Sequence, residues 1–130
     1  MRKTAAANIC SCGSGHAFDL CCNRFLSGQE TPETSLELMR ARYAAYTLGD
    51  DRYLRRTWYP STRPQGSITG EIPIQWIRLQ IIRHEESATD GLVEFIAYCK
   101  VNGRAQKMHE TSRFLKDGGQ WYYLDGTFTP

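Results

Sequence analysis

The chain has 130 residues, 41% of them apolar and 23% charged, and a formal net charge of +2. That balance is ordinary for a soluble globular chain and makes no general electrostatic case for nucleic acid. No segment approaches the ~18 consecutive apolar residues that a membrane span needs. Met1–Ala7 opens like a signal peptide, but its apolar run stops at Asn8, two residues before the first cysteine. A cytoplasmic location and no membrane partner are therefore expected.

Four of the five cysteines fall within the first 22 residues, as Cys10-Ser11-Cys12 and, after eight residues, Cys21-Cys22. Two clips presenting four sulfurs supply the ligand number and type of a closed tetrahedral Zn²⁺ site. Gly13 and Gly15 lie between them, free to take left-handed angles that turn the chain and aim N–H groups at the sulfurs. The vicinal Cys21-Cys22 pair is poorly suited to independent disulfides, and no βαβ pattern accompanies a C-x-x-C redox motif. One structural Zn²⁺ held by Cys10, Cys12, Cys21 and Cys22 is the expectation; an iron–sulfur cluster and disulfide or redox use are the alternatives. Four sulfurs would fill the shell and leave no position for an activated water. His16, in the connecting loop, is expected to donate to a sulfur or face solvent.

The run Cys10-Ser11-Cys12-Gly13-Ser14-Gly15, with Phe18 and Cys21-Cys22, resembles the SEC-C motif, the zinc knuckle at the C-terminal tail of the SecA translocation ATPase. After Gly15 this chain has His16-Ala17-Phe18-Asp19-Leu20 where that family is lysine-rich. The resemblance implies a metal module at residues 1–27.

Ser27–Pro32 is polar and contains both Gly28 and Pro32, which places a boundary there and leaves 28–130 for one α+β domain with its own core. Chelation is then expected to unfold residues 8–26 alone. Thr34 and Glu37 form a capping box, and Leu36, Met39, Tyr43 and Tyr46 make a stripe at helical spacing. Gly49 marks the helix stop, and Asp50 can cap a short second helix carrying Tyr53, Leu54 and Trp58. Pro60 and Pro64 bracket a loop, with irregular chain up to Ile72.

From Ile74 the period changes. Asp90-Gly91, Asn102-Gly103 and Asp117-Gly118 are hairpin signals that divide the remainder into strands near 74–86, 92–101, 104–116 and 120–125. Helices followed by a four-stranded antiparallel meander predict α+β, with helices covering one face of a curved sheet. A two-residue turn at Asn102-Gly103 sets Phe95 opposite Glu110, Ala97 opposite Met108 and Cys99 opposite Gln106. The third turn puts Trp121, Tyr123 and Asp125 on that same inner face. The strand at Ile74 alternates acceptably on either face.

Four motifs in order, Met39–Tyr46, Thr57–Pro64, His109–Phe114 and Trp121–Gly126, resemble those of the YchJ family, with Tyr59 where that family commonly has His. The resemblance implies a SEC-C knuckle followed by a middle domain shaped like nuclear transport factor 2, a cone with a pocket. Arg42, Tyr43, Trp58, Glu110, Arg113 and Asp125 are the cleft candidates, none of them assigned a catalytic role. Glu110 and Asp125, as buried carboxylates, are expected to pair with Arg40, Arg42 or Arg113 and pin helix to sheet. A general base and its partner is the alternative. His109 is expected on the opposite face beside Ile96, His84 near a strand end, and Cys99 as a small buried thiol.

Three function classes follow. The favoured one is a non-enzymatic zinc-binding module that recognises a protein or peptide. The second is a small-molecule-binding protein or enzyme using the cleft. The third is a nucleic-acid accessory protein, suggested by Arg40, Arg42, Arg52, Arg55, Arg56 and Arg63, although these arginines do not share one helical face.

Overall fold

The computed structural model describes residues 8–130, so the signal-peptide reading of Met1–Ala7 lies outside the described residues. From Asn8 the chain runs out and back as a miniature hairpin. Cys10 N–H donates to the His16 carbonyl at 2.9 Å and Phe18 N–H to that of Asn8 at 2.6 Å. Gly13 and Gly15 take φ of +86° and +87° at its tip, where an L side chain would be strained. A 3₁₀ turn over Phe18–Leu20 and the one-turn helix α1, Asn23–Leu26, complete the segment.

Helix α2, Ser35–Leu48, begins and ends as the capping residues dictate. The Thr34 hydroxyl accepts from Glu37 N–H at 3.1 Å, and Gly49, at φ +69°, terminates the helix. The Glu37 carboxylate reaches back to Glu33 N–H at 2.8 Å, closing the box one residue early. Asp50 accepts from Tyr53 N–H at 3.0 Å and starts α3, Asp51–Arg56. Helix α2 is buried on more than the expected stripe, because Leu38, Ala41, Arg42 and Ala45 are buried together with Met39 and Tyr43. It touches α1 and α3 as well as strands β1, Ile74–Glu86, β2, Asp90–Val101, and β4, Gln120–Thr129.

With β3, Arg104–Asp117, these strands form an antiparallel meander in the order β1-β2-β3-β4, the α+β architecture expected. Phe95 pairs with Glu110, Ala97 with Met108 and Cys99 with Gln106, so the register set by Asn102-Gly103 holds. Strand β2 alternates without interruption, with Gly91, Val93, Phe95, Ala97 and Cys99 buried. Strand β1 carries irregularities between Trp76 and Arg78 and between Ile81 and Arg83. These leave Ile77 and Ile82 exposed, which explains why its alternation suited either face.

Two turn positions differ from expectation. The first turn spans Ser87–Thr89, closed by Ser87 N–H on the Asp90 carbonyl at 2.8 Å, and Asp90-Gly91 belongs to β2. Gly91 is required there for packing: an added Cβ would lie 2.4 Å from Ser35 Oγ and 2.5 Å from Ser35 Cβ. Ser35 sits at the N-terminus of α2 and donates its N–H and Oγ–H to the Glu86 carboxylate at 2.8 and 2.7 Å. The third turn is Gly118-Gly119, both at positive φ, with Asp117 paired to Gln120. Two glycines satisfy a mirror-image hairpin turn better than Asp-Gly one residue earlier.

A bulge between Arg113 and Phe114 is the third departure. Phe114 pairs with Tyr123 but Arg113 pairs with Asp125, so Leu124 is the extra residue. Beyond it the faces of β4 exchange, and Asp125 leaves the inner face. Strand β4 also continues to Thr129, beyond the expected end at 125.

The boundary near residue 27 falls in the loop after α1, yet the parts on either side share an interior. Cys10, Cys12, Cys21, Cys22 and Phe25 belong to one hydrophobic cluster with Leu38, Met39, Tyr43, Phe95 and Trp121. Arg40, on α2, donates to the Cys12 carbonyl at 2.6 Å and fastens the knuckle to the helix. Among the described residues no helix is long and apolar enough to cross a membrane.

Candidate metal centre and cleft

The N-terminal hairpin brings Cys10 and Cys12 against Cys21 and Cys22, with all four sulfurs within 4.8 Å of one another and buried. A tetrahedron with metal–sulfur bonds of about 2.3 Å has edges of ~3.8 Å. The Cys12–Cys21 and Cys21–Cys22 sulfur separations, 3.6 and 4.0 Å, fit that size. Ser14 Oγ lies 3.1 Å from the Cys21 sulfur, and Arg24 Nε donates to the Cys21 carbonyl at 2.9 Å. Four close sulfurs cannot all ionise without a cation. Contacts with Cys10 and Cys22 pull the Cys12 thiol far down, while contacts with Cys10 and Cys12, and then burial, push the Cys22 thiol up. A bound cation removes this conflict, so the donor set suits a thiophilic metal. The His16 side chain is exposed and lies outside the four-sulfur group.

Helix α2, the inner sheet face and the loop 68–74 enclose a cavity of about 700 Å³. Its aromatic walls are Tyr43, Tyr46, Trp58, Trp76, Phe95, Tyr123 and Phe128. Trp76 from β1 packs edge-on to Tyr43, centroids 5.8 Å apart, and Trp58 is edge-on to Tyr123 at 4.8 Å. Burial pushes the Tyr43 phenol up to about 12. The loop wall is tied down by Asp51, whose Oδ1 accepts from Ile68 N–H at 2.7 Å and Thr69 N–H at 3.0 Å. Those bonds lower the Asp51 carboxyl, that of Thr69 most.

Glu110 lies at the polar end of the cavity, 7% exposed. Its Oε2 accepts from Ser112 Oγ–H at 2.7 Å and from Tyr123 O–H at 3.0 Å. Burial, and then the neighbouring Glu110 carboxylate, hold the Tyr123 phenol strongly raised. The carboxyl group occupies the space over Gly126, where a Cβ would lie 2.0 Å from Oε2.

The expected Glu110–arginine pair is absent among the described residues. Arg42 Nη1 donates instead to the Leu54 carbonyl at 2.8 Å and Thr57 Oγ1 at 2.7 Å. Its guanidinium packs on the Tyr123 ring at 4.5 Å, behind the cavity wall, and burial pulls its pKa down. Hydroxyl donors from Ser112 on its own strand and Tyr123 on β4 hold Glu110 Oε2, so it does not brace helix to sheet. Arg113 and Asp125 stand outside the cleft: Arg113 faces outward by alternation with buried Ser112 and Phe114, and the bulge turns Asp125 out to meet it in a two-pronged pair at 2.7 and 2.6 Å. Of the candidate cleft residues, Tyr43, Trp58 and Glu110 line the cavity and Arg42 supports its wall.

Trp76, Asp51 and the loop 68–74 were not singled out by sequence, and Met39 and Tyr46 stand out there only as part of the helix stripe, not as cleft residues. The loop has no periodicity, and Asp51 reads simply as an acidic residue in the first turn of a helix. His109 pairs with Ile96 across the strands, as expected, and its Nε2 is 2.7 Å from Glu94 Oε2. Of the arginine run, Arg40, Arg42, Arg55 and Arg63 act as internal braces, while Arg52 and Arg56 are exposed. Arg55 donates to the Pro64 and Gly66 carbonyls, and Arg63 to that of Trp58 at 2.8 Å.

Residues 34–126 match the family model described as YchJ, middle NTF2-like domain. A UPF0225 protein from Chromobacterium violaceum is 46% identical over 130 residues, covering 95% of this chain and 96% of the relative. One from Ralstonia nicotianae is 44% identical over 137 residues, covering 96% and 94%. The solution structure of a SEC-C motif containing protein from Rhodopseudomonas palustris superposes with a TM-score of 0.85 at 34% identity, covering 93% of this chain and 98% of that one. The crystal structure of a SEC-C motif containing protein from Psychrobacter arcticus gives 0.78 at 25% identity, covering 98% and 86%. A SEC-C-type cysteine knuckle joined to an NTF2-like α+β cone, with relatives matching nearly end to end, means that this chain belongs to the YchJ (UPF0225) family.

Proposed function

We propose that this protein binds a small molecule in its cone cleft and that one Zn²⁺ in the four-cysteine knuckle stabilises the scaffold. The observation that carries the reading is a cavity of about 700 Å³ lined by aromatic side chains with one buried carboxyl group among the described residues, Glu110, at its polar end. Ligand sites have this form, a mostly apolar concavity with few polar groups. A carboxylate kept only for bracing would be paired to a cation, and Glu110 has hydroxyl partners instead. Zinc suits the knuckle because four sulfurs at tetrahedral spacing match its preference for a closed thiolate shell. A reducing, cytoplasmic setting keeps such thiols available to metal. A nucleic-acid role is disfavoured, because Arg40, Arg42, Arg55 and Arg63 donate to internal carbonyl groups.

The experiment is a fragment screen by thermal shift on the zinc-loaded protein, repeated on Met108→Trp, which fills the cleft. Ligands should raise the melting temperature of the parent and not of the variant. Equal shifts in both would remove the cleft from the reading.

A peptide-recognition role is the second reading, and a separate observation favours it. Leu48, Ile72 and Phe128, at 61%, 64% and 60% exposure, all border the cavity mouth. A small ligand inside the cleft would leave them uncovered, whereas a chain segment laid across the mouth would bury them. Peptides selected for binding whose affinity collapses in Phe128→Asp would support this reading, and indifference to that substitution would end it.

A further inference from the structure

Resting on the cleft as a small-molecule site, we infer that its ligand is a primary or secondary amine on an apolar body, protonated at neutral pH and anchored by Glu110. Among the described residues no lysine, arginine or histidine lines the cavity, and the carboxylic acids that do are Glu110 inside and Glu71 at the mouth. An anionic ligand would meet a carboxylate with no cation on the described cavity surface to pair with, since Arg42 is held behind the wall, which disfavours acids and phosphates.

Glu110 itself is half satisfied. Ser112 and Tyr123 both donate to Oε2, and Oε1 accepts no hydrogen bond from any described residue. Oε1 is also not among the fully enclosed polar atoms that lack a partner, so it is open to the cavity. A nitrogen donor brought to Oε1 would complete the carboxylate and form a charge-assisted hydrogen bond. Gly126 keeps this arrangement, since any side chain there would displace the carboxyl group.

The remaining walls suit the same ligand. Tyr43, Tyr46, Trp58, Trp76 and Tyr123 present aromatic surface to the cavity, Tyr123 in contact with the carboxylate, and aromatic faces attract cations. Met39, Phe95, Ala97 and Met108 extend the apolar wall that would receive the body of the molecule. Arg42 does not compete for Glu110, because Leu54, Thr57 and the ring of Tyr123 hold it behind the wall.

The probes are 3-phenylpropylamine, 3-phenylpropanol and 3-phenylpropionate, which share a body and differ in the terminal group. Each is titrated to about 10 mM into the full zinc-loaded chain, a range that registers the weak affinity expected of fragments. The readout is amide and indole NMR shifts of Trp58, Trp76 and Met108. The amine should bind tightest and the carboxylate not at all. Glu110→Gln should weaken the amine by about tenfold or more and leave the alcohol unchanged, because only the amine meets the lost charge. Equal binding of amine and alcohol, preference for the carboxylate, or indifference of the amine to Glu110→Gln would overturn the amine assignment while keeping the cleft as a site. Absence of binding by all three would overturn both.

Discussion

The knuckle and the cone achieve order by opposite means. In the knuckle, four sulfurs within 4.8 Å come from a segment of 13 residues, and its loop follows from two glycines. In the cone, the inner face gathers Tyr43, Trp58, Trp76, Phe95, Glu110 and Tyr123 from one helix, one loop and four strands. A short segment can enclose a metal site because coordination replaces the core it lacks. A cavity needs long-range packing on every side. The two are nevertheless not independent, since α2 carries Arg40 to the knuckle and Met39, Tyr43 and Tyr46 to the cleft.

The largest effect tests that dependence. Removing metal with a strong chelator, or substituting Cys22→Ser, should destabilise the whole chain by more than about 4 kcal/mol, because the sulfurs sit in the common core. Near-ultraviolet circular dichroism of the tryptophans should be lost together with the far-ultraviolet signal. Loss confined to residues 8–26, the expectation from sequence alone, would restore the picture of two autonomous modules.

Close packing around the cleft comes next. Gly91→Ala should lower stability by roughly 2–3 kcal/mol, since its Cβ meets a serine fixed at a helix terminus. Gly126→Ala should be milder, about 1–2 kcal/mol, because it displaces the far end of the Glu110 side chain. Denaturant melts of the pair give the order, and a reversed order would show that the Glu110 position matters more to the fold than the seat of α2.

The smallest effect concerns the loop wall. Asp51→Asn should weaken the tie to Ile68 and Thr69 by about 1 kcal/mol. The folded Asp51 carboxyl lies below its ordinary value, so its contribution is complete above about pH 4 and is lost as pH falls through the lowered value. Amide exchange at Ile68 and Thr69 should accelerate in the variant and in the parent at low pH. Unchanged exchange would mean that the wall stands without Asp51.

Local chemistry was legible in the residues themselves. The four-cysteine cluster, the Thr34 cap, the Gly49 stop, the Asp50 cap and the Asn102-Gly103 register each depend on groups a few positions apart, where covalent geometry and one hydrogen bond decide the outcome. Tertiary structure decided what depends on approach from elsewhere. Asp90-Gly91 has the composition of a turn, yet Ser35, more than fifty positions earlier, is why residue 91 is glycine. Asp125 alternates into the cleft by counting, and one extra residue at Leu124 sends it out to Arg113. Glu110 could be placed on the inner face from the turn alone. Its partners could not, because Arg42 is drawn to the Leu54 carbonyl and Thr57 across a short helix, while the hydroxyl of Tyr123, from the next strand, takes Glu110 instead. Local rules set the elements and the four-cysteine cluster, and the competition among buried polar groups for partners set the cleft.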